Sequence, residues 1–166
     1  MLKHITMFLS GLPIPKELAI IILSMLPISE LRGAIPVART VYKFSLIKSF
    51  SFSILGNFLF VIPFLWFLNN LSSYFMKYHW FNRLLTWWFN KVKIKSAEIK
   101  NFKFWGLILF VGIPLPMTGA WSGCVAGYLL GMDSKRVTLA CIVGILMAGI
   151  IVTLATEGLF RLFMIF

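Results

Sequence analysis

Charge is scarce in this chain, and acid scarcer still: 13% of its 166 residues are charged, and only five of them are Asp or Glu. A soluble domain carries about 25% charged and about 45–50% apolar residues, so too little polar surface is available to cover a water-facing particle. Cysteine is nearly missing as well. Cys124 and Cys141 lie in apolar runs with no CxxC partner and no His nearby, which argues against a metal or redox centre and for two small buried hydrophobes. No P-loop, no GxGxxG after a strand, no HExxH and no serine elbow occurs. ATP-driven transport by this chain alone is therefore not expected, nor is enzymatic activity, nor a cofactor. A cleavable leader is not expected either, because residues 5–12 form only a short apolar core after Lys3 and His4, with no small-x-small cleavage site.

What is present is oil. Hydrophobic residues make up 60% and the mean hydropathy is +0.91, which reads as an all-α integral membrane protein. Residues 49–68 and 137–156 are uncharged, and about 20 helical residues cover roughly 30 Å, the hydrocarbon core of a bilayer. These are two full transmembrane helices. Residues 18–29 are also uncharged but too short to cross, and Pro27 ends the run by removing an amide donor and crowding the turn before it. Residues 104–132 are long enough to cross, yet Gly112-Ile113-Pro114-Leu115-Pro116 interrupts them and splits the run into two limbs. Irregular backbone at membrane depth survives only when buried in protein or lining a cavity, so both broken segments should face inward.

The two halves resemble each other. A shift of 89 residues lays Pro27-Ile28-Ser29 on Pro116-Met117-Thr118 and Ala34 and Ala38 on Gly123 and Gly127, and brings Gly56 within one place of Gly144. Each half reads as a broken segment followed by a full span. One full span per half inverts the second copy relative to the first, so the expected fold is an inverted repeat of two re-entrant helical hairpins and two spans. The boundaries are a single membrane domain over 1–166: a first repeat over 1–71 (hairpin 17–43, span 46–70), a linker over 72–103, and a second repeat over 104–166 (hairpin 104–132, span 137–158).

The linker carries Lys77, Arg83, Lys91, Lys93, Lys95, Lys100 and Lys103 against Glu98 alone, and the positive-inside bias makes it cytoplasmic. Arg39, Lys43 and Lys48 then fall on the outer side, against that bias. Within the linker Phe81, Leu84, Leu85, Trp88 and Val92 recur at helical spacing, with Arg83, Asn90 and Lys93 elsewhere on the wheel, as in an amphipathic helix lying among headgroups. A net charge of +11 interleaved with Trp and Phe therefore points to anionic lipid rather than nucleic acid.

The candidate site is ILSMLPISELRGAIP, residues 22–36. An ionised group at bilayer depth costs roughly 2.5–3.5 kcal/mol on insertion scales and is a functional candidate by default. Glu30 and Arg32 point apart on a helix but to one side in extended backbone. Prolines at 27 and 36 make an unwound segment the expectation. The pair would then bind a zwitterionic or anionic group, or neutralise each other as a structural ion pair; a helical segment would need partners from elsewhere, with Arg39 and Asn57 as candidates. Ser29 and Thr118 follow the breaks, where a hydroxyl caps the next limb and leaves its amides open to anions. Gly119, Gly123, Gly127 and Gly131 recur every four residues as a bare stripe for close helix packing. Trp121 would floor a pocket by stacking or simply fill the core. Glu157 and Asn57 are further polar groups of the spans, and a helix-to-helix hydrogen bond suffices to explain Asn57.

At SELRGAIP, residues 29–36, and IPLPMTGAWSG, residues 113–123, the chain resembles the small multidrug export family, which is similar to the DedA-like superfamily of re-entrant-hairpin membrane proteins. The match runs from about Pro27 to Gly158 and includes Gly56-Asn57. The resemblance implies two opposed hairpins and coupling to a proton or sodium gradient. It carries over to Glu30, Arg32, Gly33 and Pro36, and to Pro114, Pro116, Thr118, Gly119, Trp121 and Gly123, while Met117 departs from the small residue expected there. Relatives in the wider superfamily are implicated in moving lipid phosphates.

The reading is thus an ion-coupled secondary exporter of a small amphipathic or charged substrate in the plasma membrane, acting as a homodimer, with Glu30 as the protonation site. Two rivals stand beside it. One is a flippase or scramblase for a polyprenyl or phospholipid phosphate, which Arg32, Arg39 and the helix ends would bind. The other is a non-transporting scaffold that acts through the basic, Trp-rich loop.

Overall fold

The structure, a computed structural model, describes residues 14–71, 74, 77–96, 103–115 and 118–165. Pro116, Met117, Glu98, Lys100 and residues 5–12 lie outside the described residues, as do the side chains of Trp80 and Phe81. Among the described residues there are seven helices and no strand: α1 (Lys16–Met25), α2 (Glu30–Thr40), α3 (Leu46–Asn70), α4 (His79–Ser96), α5 (Lys103–Gly112), α6 (Ala120–Leu129) and α7 (Ser134–Ile165).

Proline sets the breaks. Pro27 has no amide to offer the carbonyl of Leu23, so Leu26 takes an extended conformation at ψ 137° and its own N–H bonds Leu23 O at 3.4 Å. The chain turns through residues 26–29 and α2 folds back on α1. Ala19, Ile20 and Leu23 meet Ala34, Val37 and Ala38 in one buried cluster, the alanines letting the two backbones come close. Pro114 ends α5 in the same way, and α6 packs back on α5. The expected two limbs are therefore present in each broken segment. With ten or eleven residues, each limb is about 15 Å long, half a bilayer core.

Two helices, Leu46–Asn70 and Ser134–Gly158 within α7, are long and apolar enough to cross a membrane. Neither is a core helix wrapped by protein: about half of each is buried. The other face turns out Ile47 (75% exposed), Ile62 (66%) and Leu154 (68%). An apolar face of that size belongs in lipid. Pro63 lies inside α3 without ending it, as spanning helices tolerate when the surrounding medium offers the backbone no alternative partner.

The chain divides into two compact units whose borders fall in the middle of both long helices: residues 1–59 with 146–166, and residues 60–145. The first holds the α1–α2 hairpin with one half of α3 and of α7; the second holds the α5–α6 hairpin and α4 with the other halves. A glycine of a long helix meets the first limb of a hairpin in each. A Cβ on Gly56 would strike Ile21 O and lie 2.9 Å from Ser24 Cβ in α1, and one on Gly144 would lie 2.6 Å from Val111 Cβ and 3.0 Å from Ile108 O in α5.

Helix α4 occupies the linker as the spacing predicts, and its stripe is turned to protein. Leu85 and Val92 are buried, and Phe89 lies 6.1 Å from Tyr128 of α6. Leu84, expected on that stripe, is instead exposed beside Trp87 and Ile94, because it lies a full 100° around the wheel from Leu85.

Candidate functional site

The first elbow is built by its backbone. Ser29 and Glu30 both donate their N–H to Leu26 O, at 3.2 and 2.9 Å, which pins the turn beneath the start of α2. Glu30 opens that helix at φ 45°, a left-handed conformation that costs a residue with a Cβ about 1–2 kcal/mol. Pro27 and Ile28 are exposed, whereas Ser29 is 3% and Glu30 7% exposed. The chain therefore turns its proline outward and its carboxylate inward. Arg32 is half-buried and feels the Glu30 carboxylate electrostatically.

The expected unwound segment is absent. Residues 30–40 are helical straight through Pro36, and Gly33 sits in that helix rather than at a break, its N–H bonded to Ser29 O at 2.8 Å. Pro36 withdraws only the one amide that would have met the Arg32 carbonyl, and a helix sheltered from water survives that loss. Arg32 is thus on helical backbone, while Glu30 enters that helix through its left-handed φ, so helical spacing does not set the angle between the two side chains, and the guanidinium feels the carboxylate.

The two capping expectations also fail. Ser29 is itself in the helical region at φ −95°, ψ −53°, and makes no cap; its hydroxyl is buried without a partner. Thr118 bonds backward. Its Oγ1 donates toward Ile113 O (2.9 Å) and Leu115 O (2.7 Å) and accepts Leu115 N–H (3.1 Å), so it locks the turn that Pro114 begins. The residue ahead of α6 is Gly119, at φ 132°. The glycine stripe is shorter than its spacing suggests. Gly123 abuts Val111, and a Cβ on Gly127 would lie 2.5–2.6 Å from the Val137 methyls, but Gly131 follows the helix at φ 62° with open space around it. Gly119 and Gly131 supply positive-φ backbone at the two ends, Gly119 buried and Gly131 in open space.

Arg39 and Asn57 each have a partner that spacing does not reveal. Arg39 Nε donates to Glu157 Oε1 at 2.5 Å, and its Nη1 donates to Phe44 O at 2.6 Å. The guanidinium thereby ties the end of α2, the connector to α3 and the C-terminal half of α7. The one available signal was complementarity: Glu157 is the sole acid of the last span. Asn57 Nδ2 donates to Ser24 Oγ at 2.9 Å, and that hydroxyl donates to the Ser53 carbonyl. Asn57 does link two helices, as its position suggested.

In the second unit Trp121 is stacked on Phe60, ring centres 3.6 Å apart at 20°, and lies 4.6 Å from Phe64 and 6.0 Å from Trp88. Aromatic neighbours from α3 and α4 thus pack against the indole, with Phe60 stacked on one of its faces. Cys124 and Cys141 are buried there and are not joined in a disulfide.

Comparison with curated proteins and with solved structures returns no match. The model of the family described as "Putative small multi-drug export protein" matches residues 30–151, from the left-handed glutamate through the second hairpin to the middle of α7, and by that match this membrane chain belongs to the small multi-drug export family.

Proposed function

We propose that the chain is an ion-coupled secondary exporter in which Glu30 is the group that takes up and releases the coupling proton. The observation that carries this reading is a buried carboxylate held at the tip of a half-length hairpin by left-handed backbone. Burial disfavours a charged carboxylate, and strained backbone around a polar group persists where it serves a purpose. Arg32 sits close enough in charge terms to steady the ionised form and to be released when Glu30 is neutral, offering a positive group to an anionic or zwitterionic substrate.

In this reading the hairpins are re-entrant and dip from opposite leaflets. Limbs of half a bilayer, and unit borders that cut both long helices midway, support that arrangement and the inverted repeat behind it. The basic linker faces the cytoplasm, and the protein sits in the plasma membrane. With two long helices per chain, a second copy completes the wall of the path.

Purified protein in liposomes, energised by a pH gradient and followed by uptake of a fluorescent amphipathic substrate, tests the assignment. Glu30→Gln, which keeps shape and removes the titratable proton, should abolish gradient-driven flux. Equal flux from wild type and the glutamine variant sinks the proposal.

A further inference from the structure

We infer that Ser24, Ser53 and Asn57 form a binding site for a small dehydrated monovalent cation, sodium. The three side chains are 0%, 0% and 1% exposed and belong to the first unit, where α1 and α3 touch at Gly56. Their internal bonds leave oxygen over. Ser24 Oγ spends its proton on the Ser53 carbonyl and accepts the Asn57 amide, while Asn57 Oδ1 and Ser53 Oγ, one helical turn apart on α3, are buried without any partner.

The hydroxyls of Ser29, Tyr42 and Thr153 are also buried without a partner, but Ser53 and Asn57 set two such oxygens one turn apart beside a third polar side chain. Two other buried hydroxyls of the long helices are satisfied. Ser49 Oγ bonds Ser45 O at 3.0 Å and Thr156 Oγ1 bonds Val152 O at 2.7 Å, the usual retreat to the carbonyl one turn back. Ser53 declines that bond. An unpaired oxygen away from water is costly, and two in one cluster of oxygens call for a ligand.

Packing does not require them. The offset that lays Gly56 on Gly144 lays Ser24 on Gly112, Ser53 on Cys141 and Asn57 on Ile145. Gly144 makes the equivalent approach to the first limb of the second hairpin, against Val111 and Ile108 O, so a crossing of this kind is built in the other half without a single polar side chain. The polar trio is an addition peculiar to the first half.

The chemistry selects the ligand. What the cluster offers is oxygen, from hydroxyls, an amide and the Ser53 carbonyl, without a carboxylate among them, which suits one positive charge better than two. Ser24 is the penultimate residue of α1, so the negative end of that helix's dipole adds to the field. A broken helix whose C-terminal end meets side-chain oxygens near mid-membrane is an arrangement that holds sodium in secondary transporters. The inference deepens the exporter reading by adding a second coupling ion, sodium, beside the proton carried by Glu30, with its own set of ligands. Its role in coupling rests on that reading; binding does not.

The experiment is thermal unfolding of the purified full-length protein in detergent, in NaCl, KCl or choline chloride at matched ionic strength. Sodium near saturation should raise the midpoint by about 2–4 °C over choline, with potassium well below sodium. Asn57→Ala should erase the sodium shift and Ser53→Ala reduce it, whatever each does to the midpoint itself, while Asn69→Ala, in the other unit, keeps it. Equal wild-type midpoints in NaCl and choline chloride overturn the inference and leave the cluster to a bridging water. An equal rise in KCl, or a sodium shift that survives both Asn57→Ala and Ser53→Ala, overturns it too. Glu30→Gln should lose flux and retain the sodium shift, so the two proposals fail separately.

Discussion

Arg39 and Glu157 stand 118 positions apart in sequence and 2.5 Å apart in space. Their side chains are 22% and 24% exposed, sheltered enough for the pair to matter and open enough for water to soften it. Because Arg39 also holds the Phe44 carbonyl, the bond fixes where the first hairpin ends relative to the last span of its unit. Arg39→Gln and Glu157→Gln should each lower stability by about 1–2 kcal/mol, the range of a charge-assisted hydrogen bond. The double variant should cost less than the two together, and a double-mutant cycle in denaturant measures the difference. Strict additivity would show that the pair contributes nothing jointly.

Glycine at the helix crossings gives the second prediction. Gly56→Ala and Gly144→Ala each push a methyl into backbone and side-chain atoms that cannot swing aside, so each should destabilise by about 1–3 kcal/mol, as overpacking does. Gly158→Ala meets no atom within 4 Å and should be neutral or mildly stabilising by helix propensity. Thermal midpoints of the three variants, compared side by side, check the order.

Glu30 separates fold from function. Its φ of 45° suits glycine better than any residue with a Cβ. Glu30→Gly should therefore fold as stably as wild type, or more so by about 1 kcal/mol, and still lose gradient-driven flux. A variant that is both stable and fully active would remove the carboxylate from the mechanism.

These residues also show what could be read from sequence and why. The breaks at Pro27 and Pro114 were legible because proline acts locally: a missing amide and a crowded neighbour need no knowledge of the rest of the fold. Both long helices were legible because length and apolarity suffice. The helix through Pro36 was not, since whether a helix survives a proline depends on whether water reaches it, and that depends on packing. Nor were the bonds Arg39–Glu157 and Asn57–Ser24. They join helices across 118 and 33 positions, and a single sequence carries no distance between such residues. Ser29 and Thr118 misled because a hydroxyl after a break has two outlets, forward to a cap or back into the turn, and Thr118 takes the second.

Trp121 distinguishes a packed core from a pocket floor. With Phe60 stacked on its ring and Phe64 and Trp88 close by, Trp121→Ala should cost about 3–5 kcal/mol through the cavity it leaves. Trp121→Phe keeps most of the contact and should preserve both fold and flux. If the phenylalanine variant is stable yet binds substrate much more weakly, the indole touches ligand and the packing account is wrong.

The last prediction concerns where α4 lies. One of its faces is spent on protein, through Leu85, Val92 and Phe89. The other presents Leu84, Trp87 and Ile94, and Lys91 Nζ sits 4.2 Å over the Trp87 ring. A cation resting on an outward indole is at home where headgroups meet acyl chains: the ring enters the apolar boundary while the ammonium meets phosphate. In a variant keeping Trp87 as its sole tryptophan, brominated phospholipids should quench the indole strongly when bromine is near the headgroup and weakly when it is at the chain end. Lys91→Glu should weaken that docking in anionic vesicles and change little in zwitterionic ones, because each basic residue near an anionic surface contributes about 1 kcal/mol. Trp87 emission that neither shifts nor quenches in any vesicle would put this face in water, and α4 would then be a brace for α6 and not a membrane anchor.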